Sequence, residues 1–120
     1  DTVVCIHDRI LGKPADRKEA ISMLRKLSGN RHLVVTGVSV TTRTEQLSFS
    51  SRTDVFFKHL SNEEIIFYVD TYKPFDKAGA YGIQEWIGYI GIERIEGSFY
   101  NVMGLPIQKL YETLRKLQFQ

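Results

Sequence analysis

His32-Leu33-Val34-Val35-Thr36-Gly37-Val38-Ser39-Val40-Thr41-Thr42 is the stretch on which the fold turns. Its valines and threonines are β-branched, and such side chains favour an extended, pleated backbone over a helix. Gln46 to Lys58 reads as a second strand, with Val55 and Phe57 two residues apart on one face. A hairpin through Arg43 and Thr44 is the economical connection, so the chain centres on an antiparallel pair of long strands.

On the N-terminal side, Thr2 to His7 is β-branched and apolar and reads as a buried strand. His7-Asp8 turns it, since both residue types tolerate a left-handed backbone comparatively well, and Ile10-Leu11 returns. Gly12-Lys13-Pro14 breaks the pattern, and Asp16 followed by Glu19 is a capping-box-like helix start. Ala20, Leu24 and Leu27, with Ile21 and Met23 beside them, repeat at helical spacing until Gly29 ends the helix with a positive φ. On the C-terminal side, Ser61 and Glu64 open a second helix, with Ile65 and either Tyr68 or Val69 facing the core before Pro74 closes it. Pro74 to Gln84 is loop-rich, Ile87 to Ile95 reads as a strand, and Gly97 to Leu105 as a compact turn region. Pro106 then starts a last helix whose Ile107, Leu110, Tyr111, Leu114 and Leu117 form one apolar stripe. The expectation is a single domain over residues 1–120, of mixed α/β class, with a largely antiparallel twisted sheet flanked by helices.

Bulk properties narrow the function classes. At 120 residues and 13.8 kDa the chain has room for one packed core. A net charge of +2, with the basic residues dispersed and no aromatic-basic interleave, argues against a nucleic-acid partner. Cys5 is the only cysteine and cannot form an internal disulfide, which fits a reducing compartment. No stretch has the length of a membrane-spanning helix and no leader is legible, so a cytoplasmic protein with no membrane partner is expected.

Familiar motifs fail. Gly12-Lys13 lacks the Gly at 7 and the Ser or Thr at 14 that a phosphate loop needs, since His7 and Pro14 stand there. Ser39 and Ser98 lack the flanking glycines of a nucleophile elbow. His7, His32 and His59 have no partners at zinc-ligand spacing. What remains is a set of polar residues where scaffold or tight turns are expected: Asp1, Thr2, Lys13, Lys77 and Gln84. A carboxylate can hold a hard cation or take a proton from water, lysines meet phosphate oxygens, and an amide reads a base edge. Each also has an ordinary structural reading as a chain end, a surface charge or a turn cap.

Ordered blocks of sequence add weight. Asp1-Thr2-Val3-Val4, Ile10-Leu11-Gly12-Lys13-Pro14, Met23 to Gly29, Val35-Thr36-Gly37-Val38, Tyr68-Val69, Asp76 to Gln84 and Ile95 to Pro106 resemble consecutive blocks of the Maf family of nucleotide pyrophosphatases. The resemblance spans essentially the whole chain. It implies the Maf/inosine triphosphate pyrophosphatase-like fold and the hydrolysis of nucleoside triphosphates to monophosphate and pyrophosphate with a divalent cation, Mg²⁺ or Mn²⁺. By that resemblance Asp1 is the proton acceptor that activates water and a contact of the metal, Lys13 and Lys77 bind the triphosphate, and Thr2 and Gln84 help select the base. Lys77-Ala78-Gly79-Ala80-Tyr81-Gly82-Ile83-Gln84 resembles the branch acting on dTTP and UTP. The implied role is house-cleaning of the nucleotide pool, and the family carries an association with inhibition of septum formation. A homodimer is compatible with this reading. The alternatives are a pyrophosphatase for 7-methyl-GTP or another modified nucleotide, and a non-catalytic nucleotide-binding regulator of division. The family's opening Ser-x-Ser-Pro-Arg-Arg signature does not occur here, so the resemblance implies that an N-terminal portion lies outside this chain and that the 120 residues alone turn over weakly or not at all.

Overall fold

A computed structural model describes residues 1–118. The strands are β1 (Thr2–Ile6), β2 (Arg9–Leu11), β3 (Arg31–Thr41), β4 (Gln46–Phe57) and β5 (Ile92–Glu96). The helices are α1 (Arg17–Leu27), α2 (Asn62–Tyr72), α3 (Trp86–Gly91), α4 (Phe99–Met103) and α5 (Ile107–Gln118), with a 3-10 turn at Ala78–Ala80. The strands form one sheet in the order β2-β1-β3-β4-β5, every pair antiparallel. The α/β class and the antiparallel hairpin at its centre are as expected.

Local chemistry explains the elements. His7 and Asp8 both have positive φ, 50° and 61°, the two-residue turn whose twist matches that of the flanking strands. Asp16 accepts a hydrogen bond from the Glu19 backbone N–H, while the Glu19 carboxylate reaches Ala15 instead of closing the box. At α2 the box is complete, with the Ser61 hydroxyl and the Glu64 carboxylate each bonded to the other's backbone N–H. Gly29 follows α1 with φ 69°. Period-two alternation then sets the core face: His32, Val34 and Thr36 of β3 lie beside Ser51, Thr53, Val55 and Phe57 of β4, all buried. Ala20, Leu24 and Leu27 of α1 and Ile65, Tyr68 and Val69 of α2 are buried in the same core. A buried Leu of this kind contributes about 1.5–3 kcal/mol over an exposed one.

Two expectations need correction, and a third gains detail. Ile87 to Ile95 is not one strand: Trp86–Gly91 is helical and β5 starts only at Ile92. The buried positions are Ile87 and Gly91, four apart, so the helical period wins over the alternation suggested by the isoleucines. The Gly97 to Leu105 region contains α4, capped by the Ser98 hydroxyl on the Asn101 N–H, with Asn101 fully buried. The α5 stripe forms, but Leu110 and Leu117 are half-buried while Ile107, Tyr111 and Leu114 are exposed. No helix among the described residues is long and apolar enough to cross a membrane.

His32 is only 1% exposed, stacked on Phe57, with Nε2 2.6 Å from the Tyr81 hydroxyl and Nδ1 without a partner among the described residues. It is therefore a core residue, in keeping with the absence of zinc-ligand spacing. Burial disfavours the imidazolium and lowers its pKa from 6.5 to about 4. The unfolded chain takes up this proton first as pH falls, so stability is fully present above pH 6.5 and is lost between 6.5 and 4. The full loss is on the order of 3 kcal/mol. Urea midpoints should fall between pH 7 and pH 5, a range mostly above carboxylate titration, and His32→Gln should flatten that fall. An unchanged slope in the variant would assign the acid sensitivity elsewhere.

Candidate active site

A cleft of about 520 Å³ opens at the start of β1, and Asp1, Thr2, Lys13, Lys77 and Gln84 all line it. Four segments meet there: the head of β1, the loop after β2, the loop from Asp76 to Glu85, and the end of α4 at Val102, Met103 and Gly104. The topology explains the convergence. β1 lies between β2 and β3, so the residue after β2 and the head of β1 reach the same end of the sheet. The 3-10 turn is tied to this end by the Gly79 N–H, which donates to the Gly12 carbonyl over 3.1 Å.

Asp1 is fixed by its backbone and open at its side chain. Its main-chain nitrogen donates to the Gly37 carbonyl at 2.8 Å, and the Gly37 N–H returns a bond of 2.9 Å to the Asp1 carbonyl. Among the described residues the carboxylate accepts the Thr2 N–H alone, at 3.1 Å, and no cation pairs with it. An exposed carboxylate on a residue that lines a cleft can take a proton from water or meet a cation.

Lys77 stands opposite in charge. Its Nζ lies 3.1 Å from Asp76 Oδ1 and 3.5 Å from Glu85 Oε1. Burial works against its charge, but the two carboxylates outweigh that and hold its pKa above the ordinary lysine value. The hydrogen bond from Lys77 in turn holds Asp76 below the usual carboxylate range. Glu85 is placed by Tyr68, whose hydroxyl donates to Glu85 Oε1 at 2.9 Å and accepts the Gly82 N–H at 3.2 Å. Burial pushes the Tyr68 hydroxyl far above its ordinary pKa, so it remains a donor. A Cβ at Gly82 would stand 2.6 Å from Glu85 Oε1 and 2.8 Å from Lys77 Cε, so a larger residue there would push these two side-chain ends away from their present positions.

Sequence reasoning missed Glu85 and the polar half of Tyr68. Glu85 directly follows Gln84, which is the only sequence signal for it. Tyr68 sits at a core position of α2 and reads as apolar, although its hydroxyl is the link to the cleft.

Among the described residues, no three His, Cys, Asp or Glu side chains are grouped so as to hold a metal ion. A cation carried by phosphates needs less, since Mg²⁺ in such sites is commonly held by one or two carboxylates together with substrate oxygens. Asp1 fits that requirement.

A family profile described as "Maf-like protein" matches residues 1–117. A dTTP/UTP pyrophosphatase of Bacteroides thetaiotaomicron is 61% identical over 117 residues, 98% of this chain and 61% of the relative. One of Porphyromonas gingivalis is 62% identical over 115 residues, 96% of this chain and 58% of the relative. One of Cytophaga hutchinsonii is 52% identical over 117 residues, 98% of this chain and 54% of the relative. The chain thus spans less than two thirds of the length of the curated relatives it matches.

Proposed function

The chain belongs to the Maf-like protein family, and on that premise we propose that the protein hydrolyses nucleoside triphosphates, dTTP and UTP foremost, to the monophosphate and pyrophosphate. One observation carries the reading. A carboxylate, two lysines, a hydroxyl and an amide from separate parts of the chain line one cleft of about 520 Å³.

The proposed chemistry is an attack of water on the α-phosphorus. The Asp1 carboxylate takes a proton from the water as the new P–O bond forms, and the bond from the α-phosphorus to the bridging oxygen breaks. Pyrophosphate leaves with the bonding pair. Its developing charge is met by Lys13 and Lys77, cations already in place before reaction. Asp1 is the residue that would hold a divalent cation, Mg²⁺ or Mn²⁺, and such an ion would supply further neutralisation of that charge. Gln84 and Thr2 face the base, the amide offering both a donor and an acceptor to an imide edge.

The test is product analysis on the protein expressed from its complete reading frame. With Mg²⁺ or Mn²⁺, dTTP and UTP should give the monophosphate and pyrophosphate, seen by phosphorus NMR, ahead of GTP, CTP and 7-methyl-GTP. Release of orthophosphate would refute pyrophosphatase chemistry. Preferred turnover of 7-methyl-GTP would move the base assignment, and tight binding without turnover would make the protein a nucleotide-binding regulator.

A further inference from the structure

The two lysines that line the cleft stand in different electrostatic company. Among the described residues, Lys13 has no carboxylate within ion-pair distance. Lys77 has two, with Nζ 3.1 Å from Asp76 Oδ1 and 3.5 Å from Glu85 Oε1. These two carboxylates are not equal. The Asp76 side chain is 77% exposed, so water and salt screen its charge, whereas that of Glu85 is 23% exposed. Glu85 is also tethered. Its Oε1 accepts the Tyr68 hydroxyl at 2.9 Å, and Tyr68 is 0% exposed in the core. The oxygen that pairs with Lys77 is thus the one that the core holds in place.

An ammonium is a compact point charge, and two anions beside it share its attraction. A phosphate oxygen that approaches Lys77 finds that charge already met by a carboxylate fixed within the cleft. We infer that Glu85 is a positioning residue that competes with phosphate for Lys77, so that the cleft holds polyphosphate loosely enough for pyrophosphate to leave. Lys13 gives the first grip, and Lys77 adds the surplus that remains after Glu85. Gripping substrate and product phosphates at full strength would lower KM and slow release without raising kcat. An anchored carboxylate beside one of two lysines avoids that outcome while leaving both cations in the site.

This rests on the reading of the cleft as a triphosphate site, and the experiment separates the two. Pyrophosphate is titrated by calorimetry into the protein from its complete reading frame, with EDTA and again with Mg²⁺, and the effect of Glu85 is read in EDTA. Glu85→Gln is the informative variant, since it removes the charge while its amide oxygen can still accept the Tyr68 hydroxyl. It should bind pyrophosphate about fivefold tighter. In turnover with Mg²⁺, pyrophosphate should inhibit its dTTP hydrolysis at a correspondingly lower concentration. Glu85→Ala removes the same charge and carries the same expectation, and Asp76→Asn should stay within about twofold of the unaltered protein. If Glu85 served only to keep the loop in shape, its variants would bind pyrophosphate equally or more weakly, and either result overturns the inference. A gain in Asp76→Asn as large as that in Glu85→Gln overturns it as well, because the effect would then follow the total charge of the cleft. Lys13→Ala and Lys77→Ala test the underlying reading. Both should weaken pyrophosphate binding, and binding that neither changes, or none in any of the proteins, would fell the phosphate site itself.

Discussion

Replacing Asp1 with Asn should lower kcat for pyrophosphate release from dTTP by a factor of about 10² to 10³ and leave nucleotide affinity within about twofold. The substitution is nearly isosteric. The amide oxygen can still accept the Thr2 N–H, and the backbone pairing with Gly37 involves no side-chain atom. What is lost is the basic oxygen proposed to take a proton from water, together with part of the negative charge proposed to meet a cation. Steady-state release of pyrophosphate, with nucleotide binding titrated separately, distinguishes the two. Full activity in Asp1→Asn would remove Asp1 from the proton transfer, and a parallel loss of affinity would make it chiefly a binding group.

The second large effect lies away from any charged group. Gly88→Ala should destabilise the fold by about 3 kcal/mol and lower Tm by roughly 10 °C. A Cβ at this position would stand 2.0 Å from the Ile83 carbonyl oxygen and 2.7 Å from its carbon. Both are backbone atoms, which cannot swing aside as a side-chain tip can. Relief requires α3 or the Ile83-Gln84 segment to move, and Gln84 lines the cleft. Thermal melts with and without nucleotide should show the lowered Tm, and the selectivity between UTP and CTP should weaken along with it. A melt within 2 °C or so of the unaltered protein would mean that the helix accommodates the methyl group without moving.

Much of the framework was legible because it follows short-range periodicity. The β3-β4 hairpin, the β1-β2 turn at His7-Asp8 and the caps of α1 and α2 all depend on residues within a few positions of one another. α3 was not legible, since isoleucines at 87, 90, 92 and 95, spaced by three, two and three, mix the two periods, and the helix is packed close to Ile83, Phe57 and Leu60. Nor was the burial of Asn101, whose side-chain partners Val34 and Ser51 lie 67 and 50 residues away. At the cleft, Asp1, Thr2, Lys13, Lys77 and Gln84 stood out as polar residues in places that scaffold or turns would fill, and all five line it. Glu85 and Tyr68 carried no such mark, because their work depends on which way one hydroxyl and one carboxylate point in three dimensions.

Tyr68 gives the cleft its mechanical character. Its ring is fully buried in the core, and its hydroxyl holds both the Gly82 backbone and the carboxylate that pairs with Lys77. Loops that meet substrates commonly open as independent, low-stability units. This one is anchored by the Tyr68 phenol, by the Gly79–Gly12 bond and by the buried Tyr81, so Lys77 stands on a segment whose opening is tied to that of the core. Amide exchange in the Gly82 turn should report the opening of the core, and heat that loosens one would dissolve the other in the same cooperative event.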